Sequence, residues 1–367
     1  MNTQSKSLAP DLCALVLCAA VLAGCTASRR AEPPMAEAPP GSVVLRGAGA
    51  TLPSLLYKKW FTEYHAAHPD VAVAYDAVGS GEGIRRFIDN GVKNEDQVDF
   101  GASDAAMTDE QMGQVKKGAV LLPMTAGSVV LAYNIPGFAG ELRLSRKACA
   151  GIFLGEITNW NDPAIAESNP GVKFPKLTIV TVARQDASGT TFAFTKHLDA
   201  ISPEWSSRYG AATLIDWPGN TMRASGNENV AGRIQHSEGS IGYVGYEFAY
   251  RLGLKMALLE NREGNYVSPS DQAGMAALSS VDLPANLRFF IADPVGKNAY
   301  PIVTFSWILL YQHYDKPEKA KAIRDLFQWC LKDGQSDAAG LGYIPLSPNV
   351  VAKSQAALAQ VGPGPGI

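Results

Sequence analysis

Four short stretches of this chain carry residue types that can bind an anion with little charge. They are Gly47-Ala-Gly-Ala-Thr-Leu-Pro-Ser54, Val78-Gly-Ser-Gly-Glu-Gly83, Gly101-Ala-Ser-Asp104 and Arg184-Gln-Asp-Ala-Ser-Gly-Thr-Thr191. Each follows a β-rich run, and at least three lead into a helical pattern. The first turn of a helix has N–H groups without partners and a partial positive charge. Glycine lets backbone approach a ligand closely, and Ser or Thr adds a hydroxyl donor on the same turn. Such a terminus is a ready anion site. In open α/β sheets, ligands lie beyond the carboxyl ends of the strands. Several termini facing one cleft would offer a tetrahedral oxyanion a dense set of neutral donors, with Arg184 as the fixed charge.

Taken singly, each motif admits a plainer reading. A Gly-x-Gly loop is a tight turn, Ser188 an N-cap, Asp104 a turn residue, and Arg184 with Asp186 a solvated ion pair. The first loop lacks the third glycine of a dinucleotide fingerprint and the Gly-Lys-Ser/Thr of a nucleotide P-loop. Order and joint occurrence carry the reading. An extracytoplasmic hydrolase is a rival, but no Gly-x-Ser-x-Gly elbow or His-Glu-x-x-His motif is present. His65, His68, His197, His236 and His313 are scattered without ligand spacing, so no metal or cofactor is expected.

The elements that must position these loops alternate. Ser42–Arg46, Val71–Tyr75, Val98–Gly101 and Leu177–Ala183 read as strands. Leu56, Trp60 and Tyr64 recur at helix spacing, as do Ile84, Phe87 and Ile88, then Phe194 and Leu198. Thr108-Asp-Glu-Gln111 reads as a capping box. Alternation of this kind predicts α/β layers with open, mostly parallel sheets, and the length suits two of them with a cleft between.

The chain has 367 residues, 46% hydrophobic and 18% charged, with a net charge of −3. No concentrated basic face suggests nucleic acid. The anion site must be local, since no global field assists it. Leu12 to Gly24 is apolar but short for a membrane span, and Leu22-Ala-Gly-Cys25 resembles a bacterial lipobox. Residues 1–24 then form a lipoprotein signal peptide and Cys25 carries a lipid anchor to a membrane. Residues 25–43, rich in Pro and Ala, form a tether, and residues 361–367 an unstructured tail. Cys149 and Cys330 remain in the body, either paired or as two buried thiols.

At this point the chain resembles the periplasmic phosphate-binding proteins of phosphate-specific ABC transport, which are class II solute-binding proteins. Gly47-Ala-Gly-Ala-Thr-Leu52 is similar to that family's GAGATF, and Val78–Gly83 to its Gly-Ser loop. Val98-Asp-Phe-Gly-Ala-Ser-Asp104 matches its DFGASD segment, and Ala183–Thr190 resembles its RxDGSGT loop. Further likeness lies in Val129–Gly137, Ile152–Asn161 and Gly239–Val244, so it extends from about Leu45 to about Val351. The resemblance implies a two-lobed periplasmic-binding-protein-like fold, each lobe a mixed sheet flanked by helices, with a hinge between. Lobe I would comprise 44–127 plus 300–360, and lobe II 128–299. It implies that inorganic phosphate is bound by the Thr51 hydroxyl, the Leu52 N–H and both donors of Ser80. Asp104 would accept a phosphate proton, Arg184 would clamp the anion while held by Asp186, and Ser188, Gly189 and Thr190 would donate from a helix terminus. The implied partners are an ABC permease with its ATPase, and the chain would act as a monomer without catalysis.

Departures from the family pattern are local. Leu52 stands where Phe is usual, Ala187 where Gly is usual, and residues 90–97 look like a short insertion. Glu82 puts a negative charge near an anion site, and its side chain is expected to point outward. Binding of another oxyanion, with arsenate hardest to separate, or a surface sensor on the same fold, are the remaining alternatives.

Overall fold

The computed structural model describes residues 41–88, 92–93, 96–279 and 281–364 together with Met1. Cys25, the expected signal and most of the tether lie outside the described residues, as do residues 90, 91, 94 and 95 of the expected insertion. Everything below concerns the unit Ala38–Ile367.

The strands are β1 (Val43–Gly49), β2 (Val71–Asp76), β3 (Phe100–Ser103), β4 (Ala119–Asn134), β5 (Arg143–Leu144), β6 (Val180–Arg184), β7 (Thr221–Ala224), β8 (Ser240–Gly245), β9 (Lys255–Met256), β10 (Leu258–Glu260), β11 (Tyr266–Val267), β12 (Val303–Tyr311), β13 (His313–Tyr314) and β14 (Gly362–Pro363). The main sheet has the order β2-β1-β3-β12-β4-β8-β6-β7, with β9 also on β4. The fold is mixed α/β and two-lobed. In one half β2, β1 and β3 are parallel, and β12 and β4 close it antiparallel. In the other, β8 is antiparallel to β4, while β8, β6 and β7 are parallel.

The two halves are not separate sheets. The first part of β4, to Ser128, pairs with β12, and Val129–Asn134 pairs with β8. Fourteen of its sixteen residues are buried, and a strand covered on both faces reads as one apolar run. The boundary drawn at 127/128 therefore falls inside one continuous strand.

The expected helices form where the spacing places them. Ser54–Ala67 buries Leu56, Tyr57, Trp60, Phe61 and Tyr64, which are the i, i+4 and i, i+3 positions of one face. Burying a side chain of this size is worth about 1.5–3 kcal/mol. Thr108 caps Asp109–Gly113 with both bonds of the capping box. Cys149 and Cys330 are two separate buried thiols. The expected tail begins later than Val361. That residue is buried, and Gly362–Pro363 pairs in parallel with β13, whose open edge gives the last residues a backbone partner. Among the described residues no helix is long and apolar enough to cross a membrane, and no His, Cys, Asp and Glu cluster could hold a metal.

Candidate functional site

The four loops meet at the seam between the two halves. β1 ends at Gly49 and gives way to Thr51 and Leu52, just ahead of the helix Ser54–Ala67. The helix Ser80–Ile88 follows β2, and Asp104 follows β3 directly. On the other half β6 ends at Arg184, and Ser188 caps the helix Gly189–Ile201 through its hydroxyl, which accepts the Thr191 N–H at 3.2 Å. All nine residues expected at the site are brought together. Thr51, Ser80, Asp104, Arg184, Ser188 and Thr190 are each at most 6% exposed.

The halves are in direct contact there. Gly81 N–H donates to the Ala187 carbonyl at 2.9 Å. A Cβ on Gly189 would lie 2.5 Å from Asp104 Cβ and 2.6 Å from Ser80 Oγ, so only glycine allows that approach. Gly79 has φ +99°, and a Cβ there would lie 2.2 Å from Asp186 Oδ2. Leu52 turns its side chain into the first half against Gly127, while its carbonyl accepts the Tyr343 hydroxyl at 2.7 Å. The usual aromatic at this position is thus replaced by a core contact that leaves the backbone N–H unaffected.

The hydroxyls share one property. Ser80 Oγ accepts the Asp104 N–H at 3.1 Å, and Thr51 Oγ1 accepts the Asn227 backbone N–H at 3.2 Å. Thr190 Oγ1 accepts from Arg184 Nη1 at 3.4 Å. Each oxygen already serves as an acceptor within the protein, so its hydrogen remains to be donated. The N–H groups of Gly189 and Thr190 lie ahead of the bond from Phe192 N–H to Ser188 O, 3.0 Å, with which the helix begins.

Charge is divided unequally. Arg184 is buried and donates from Nε to Asp186 Oδ1 at 2.8 Å and from Nη2 to Oδ2. Burial alone would raise the Asp186 carboxyl, but Arg184 and the Gly226 N–H outweigh it and hold it below the ordinary range. Asp104 has no such partner. Burial pushes it up to about 7 against the opposing pull of the nearby Ser306 hydroxyl and the Arg184 charge. Asp104 Oδ1 and Ser306 Oγ find no hydrogen-bond partner among the described residues. Glu82, the expected liability, is turned to Arg85 and Arg86, whose hydrogen bonds hold it down to about 2.

Sequence reasoning missed three residues here. Asn227, at the start of the helix Gly226–His236, is fully buried against Thr51 and Thr190. Ser306 lies near Asp104 on β12, beside a register shift at Ser306/Trp307. Glu247 is fully buried, and burial drives its carboxyl well above the ordinary range. None lies in a glycine-rich loop, and the only signal available was a polar residue within an otherwise apolar strand or helix start.

Known proteins share this architecture. A family described as the PBP superfamily domain matches residues 36–333. The phosphate-binding protein PstS of Pasteurella multocida is 37% identical over 315 residues, which is 85% of this chain and 89% of that protein. PstS of Methanocaldococcus jannaschii is 34% identical over 356 residues, covering 90% and 89%. A periplasmic phosphate-binding protein solved with phosphate bound superposes with TM-score 0.73 at 24% identity, over 86% of this chain and 93% of that one. A phosphate-binding protein from Stenotrophomonas maltophilia gives 0.69 at 20% identity, over 86% and 94%. The two structures speak to the fold, and the two sequences to descent. By its sequence this chain belongs to the PstS phosphate-binding proteins within the PBP superfamily.

Proposed function

We propose that this chain captures inorganic phosphate outside the cytoplasm and delivers it to the permease of an ABC importer. What supports the reading is a closed seam in which loops from both halves bring neutral donors and one arginine together with the buried Asp104 carboxyl, one oxygen of which has no hydrogen-bond partner among the described residues. Thr51, Leu52, Ser80, Ser188, Gly189 and Thr190 supply hydroxyl and N–H donors, and Arg184, steadied by Asp186, supplies the charge. Asp104 takes the proton that phosphate still bears near neutral pH. Sulfate has no proton to give, so it would set oxygen against oxygen in a dry site, and an unmet buried charge costs several kcal/mol. The same logic leaves arsenate as the harder competitor.

Lobe I, 44–127 plus 300–360, and lobe II, 128–299, would part to admit the anion and shut upon it, the shut form being what the permease recognises. Cys25 would hold a monomeric chain at the membrane by its lipid. Nothing in the arrangement calls for a covalent step, so capture without turnover is the reading adopted. Calorimetric titration with phosphate, sulfate and arsenate tests it, together with the membrane retention of Cys25→Ser. One-to-one binding of phosphate with no sulfate heat is expected, and release of the variant from membranes. Equal affinity for sulfate and phosphate would overturn the assignment of the site.

A further inference from the structure

We infer that Asn227 is a positioning residue that sets the direction in which two ligand hydroxyls point. The inference rests on the reading of the seam as an oxyanion site. Asn227 Oδ1 accepts the Gly245 N–H at 3.0 Å, which fixes which end of the amide is which. Nδ2 therefore faces the seam as a donor, to Thr51 Oγ1 at 2.9 Å and to Thr190 Oγ1 at 3.1 Å.

A hydroxyl has two acceptor positions and one hydrogen. Thr51 Oγ1 takes both the backbone N–H and the Nδ2 of Asn227. Thr190 Oγ1 takes Nδ2 and, at 3.4 Å, Arg184 Nη1. With both acceptor positions filled, each hydrogen is left to point away from the amide. Turning it back would set O–H against N–H. Asn227 is fully buried, so packing fixes its amide, and the Thr190 hydroxyl on the same half is oriented before a ligand arrives, which lowers the ordering cost of binding.

Two consequences follow for the ligand. The Thr51 and Thr190 end of the seam can only donate, so it takes bare oxygens. The proton-bearing oxygen of the anion is thereby steered to the Asp104 end. Thr51 also belongs to the first half and Asn227 to the second, so the Thr51 hydroxyl is fully oriented only when the halves meet. Closure and donor alignment are then one event.

The test is a thermodynamic cycle on the full-length protein, read by phosphate titration. Asn227→Ala should weaken phosphate about tenfold, whereas the same change on a Thr51→Val, Thr190→Val background should add less than about threefold, because no hydroxyl remains to orient. A loss of equal size in both backgrounds, or no loss in the parent, overturns the inference while leaving phosphate binding by the parent intact. Asn227→Asp keeps the side-chain volume and the Gly245 contact but replaces the donor by an acceptor, so it carries the test where the alanine variant does not fold. Its expected loss is about a hundredfold, and a loss under about threefold contradicts the orientation role. A parent that binds none of phosphate, sulfate or arsenate would end both this inference and the reading beneath it.

Discussion

Two aspartates lie on the two halves that meet at the seam, and they do opposite things. Asp186, on the second half, is bonded by Arg184 and stays ionised. Asp104, on the first half, is only 1% exposed, has an oxygen without a partner, and is pushed up to about 7. The residue type is the same, and the environment separates the roles. One half supplies a charge already neutralised within the protein, and the other supplies an unmet acceptor. A site divided in this way can hold an anion tightly without a strong field of its own, and it can reject an anion that has no proton to offer.

The largest effect should come from removing the charged side of this contrast. Arg184→Leu strands Asp186 in a site where only 18% of its side chain is exposed. Losing one member of a buried pair costs about 3–5 kcal/mol. Phosphate affinity should fall by about a hundredfold or more, and thermal stability should fall with it. Calorimetry and thermal unfolding check both, and retention of near-parent affinity would remove Arg184 from the clamp.

The unmet side should break next, and selectively. Asp104→Asn turns an acceptor partly into a donor, and should bring sulfate to within about tenfold of phosphate. Acidification should mimic the mutation. Above about 7 the carboxyl is ionised and repels sulfate, and below about 7 it keeps its proton and can donate. Sulfate affinity of the parent should therefore rise by up to about tenfold per pH unit as pH falls toward that value, then level off. In the anion-free protein the same raised group adds stability that is full below its ordinary value of 3.8 and is lost as pH rises to about 7. A sulfate affinity that is flat from pH 8 to 6 would show that Asp104 does not gate selectivity.

Glu82 gives the smallest effect and the sharpest control. It is the acidic group on the first turn of the Ser80 helix, yet Arg85 and Arg86 already neutralise it. Glu82→Gln should change phosphate affinity by less than about fivefold, the scale of a partly exposed ion pair worth at most ~1 kcal/mol. A larger gain on titration would mean that its charge reaches the anion.

Much of this was legible because the site is made of local signals. A strand followed by glycines and hydroxyl residues places its loop at the strand's carboxyl end whatever the tertiary context. So the loops that hold Thr51, Ser80, Asp104 and Arg184 to Thr190 could be named from sequence, with the Thr108 capping box, while the part expected of each residue came from the family resemblance. What could not be read depends on distance along the chain. Asn227 meets Thr51 across 176 residues and Thr190 across 37, and nothing in Gly226-Asn-Glu-Asn229 announces either contact. Ser306 is one small polar residue in a nine-residue buried strand, aimed by a register shift that has no compositional mark. The fusion of the halves was hidden for a related reason. An apolar run of this length gives no sign of where its pairing partner changes.

That fusion has a mechanical consequence. Because β4 belongs to both halves along an unbroken Ala119–Asn134 run, the cleft resembles two plates riveted to a single flexed leaf. Rim displacement must be taken up as torsion spread over many backbone units, and twisted strands resist being flattened. If the halves part to admit an anion as proposed, the twist of that shared leaf would have to change with them.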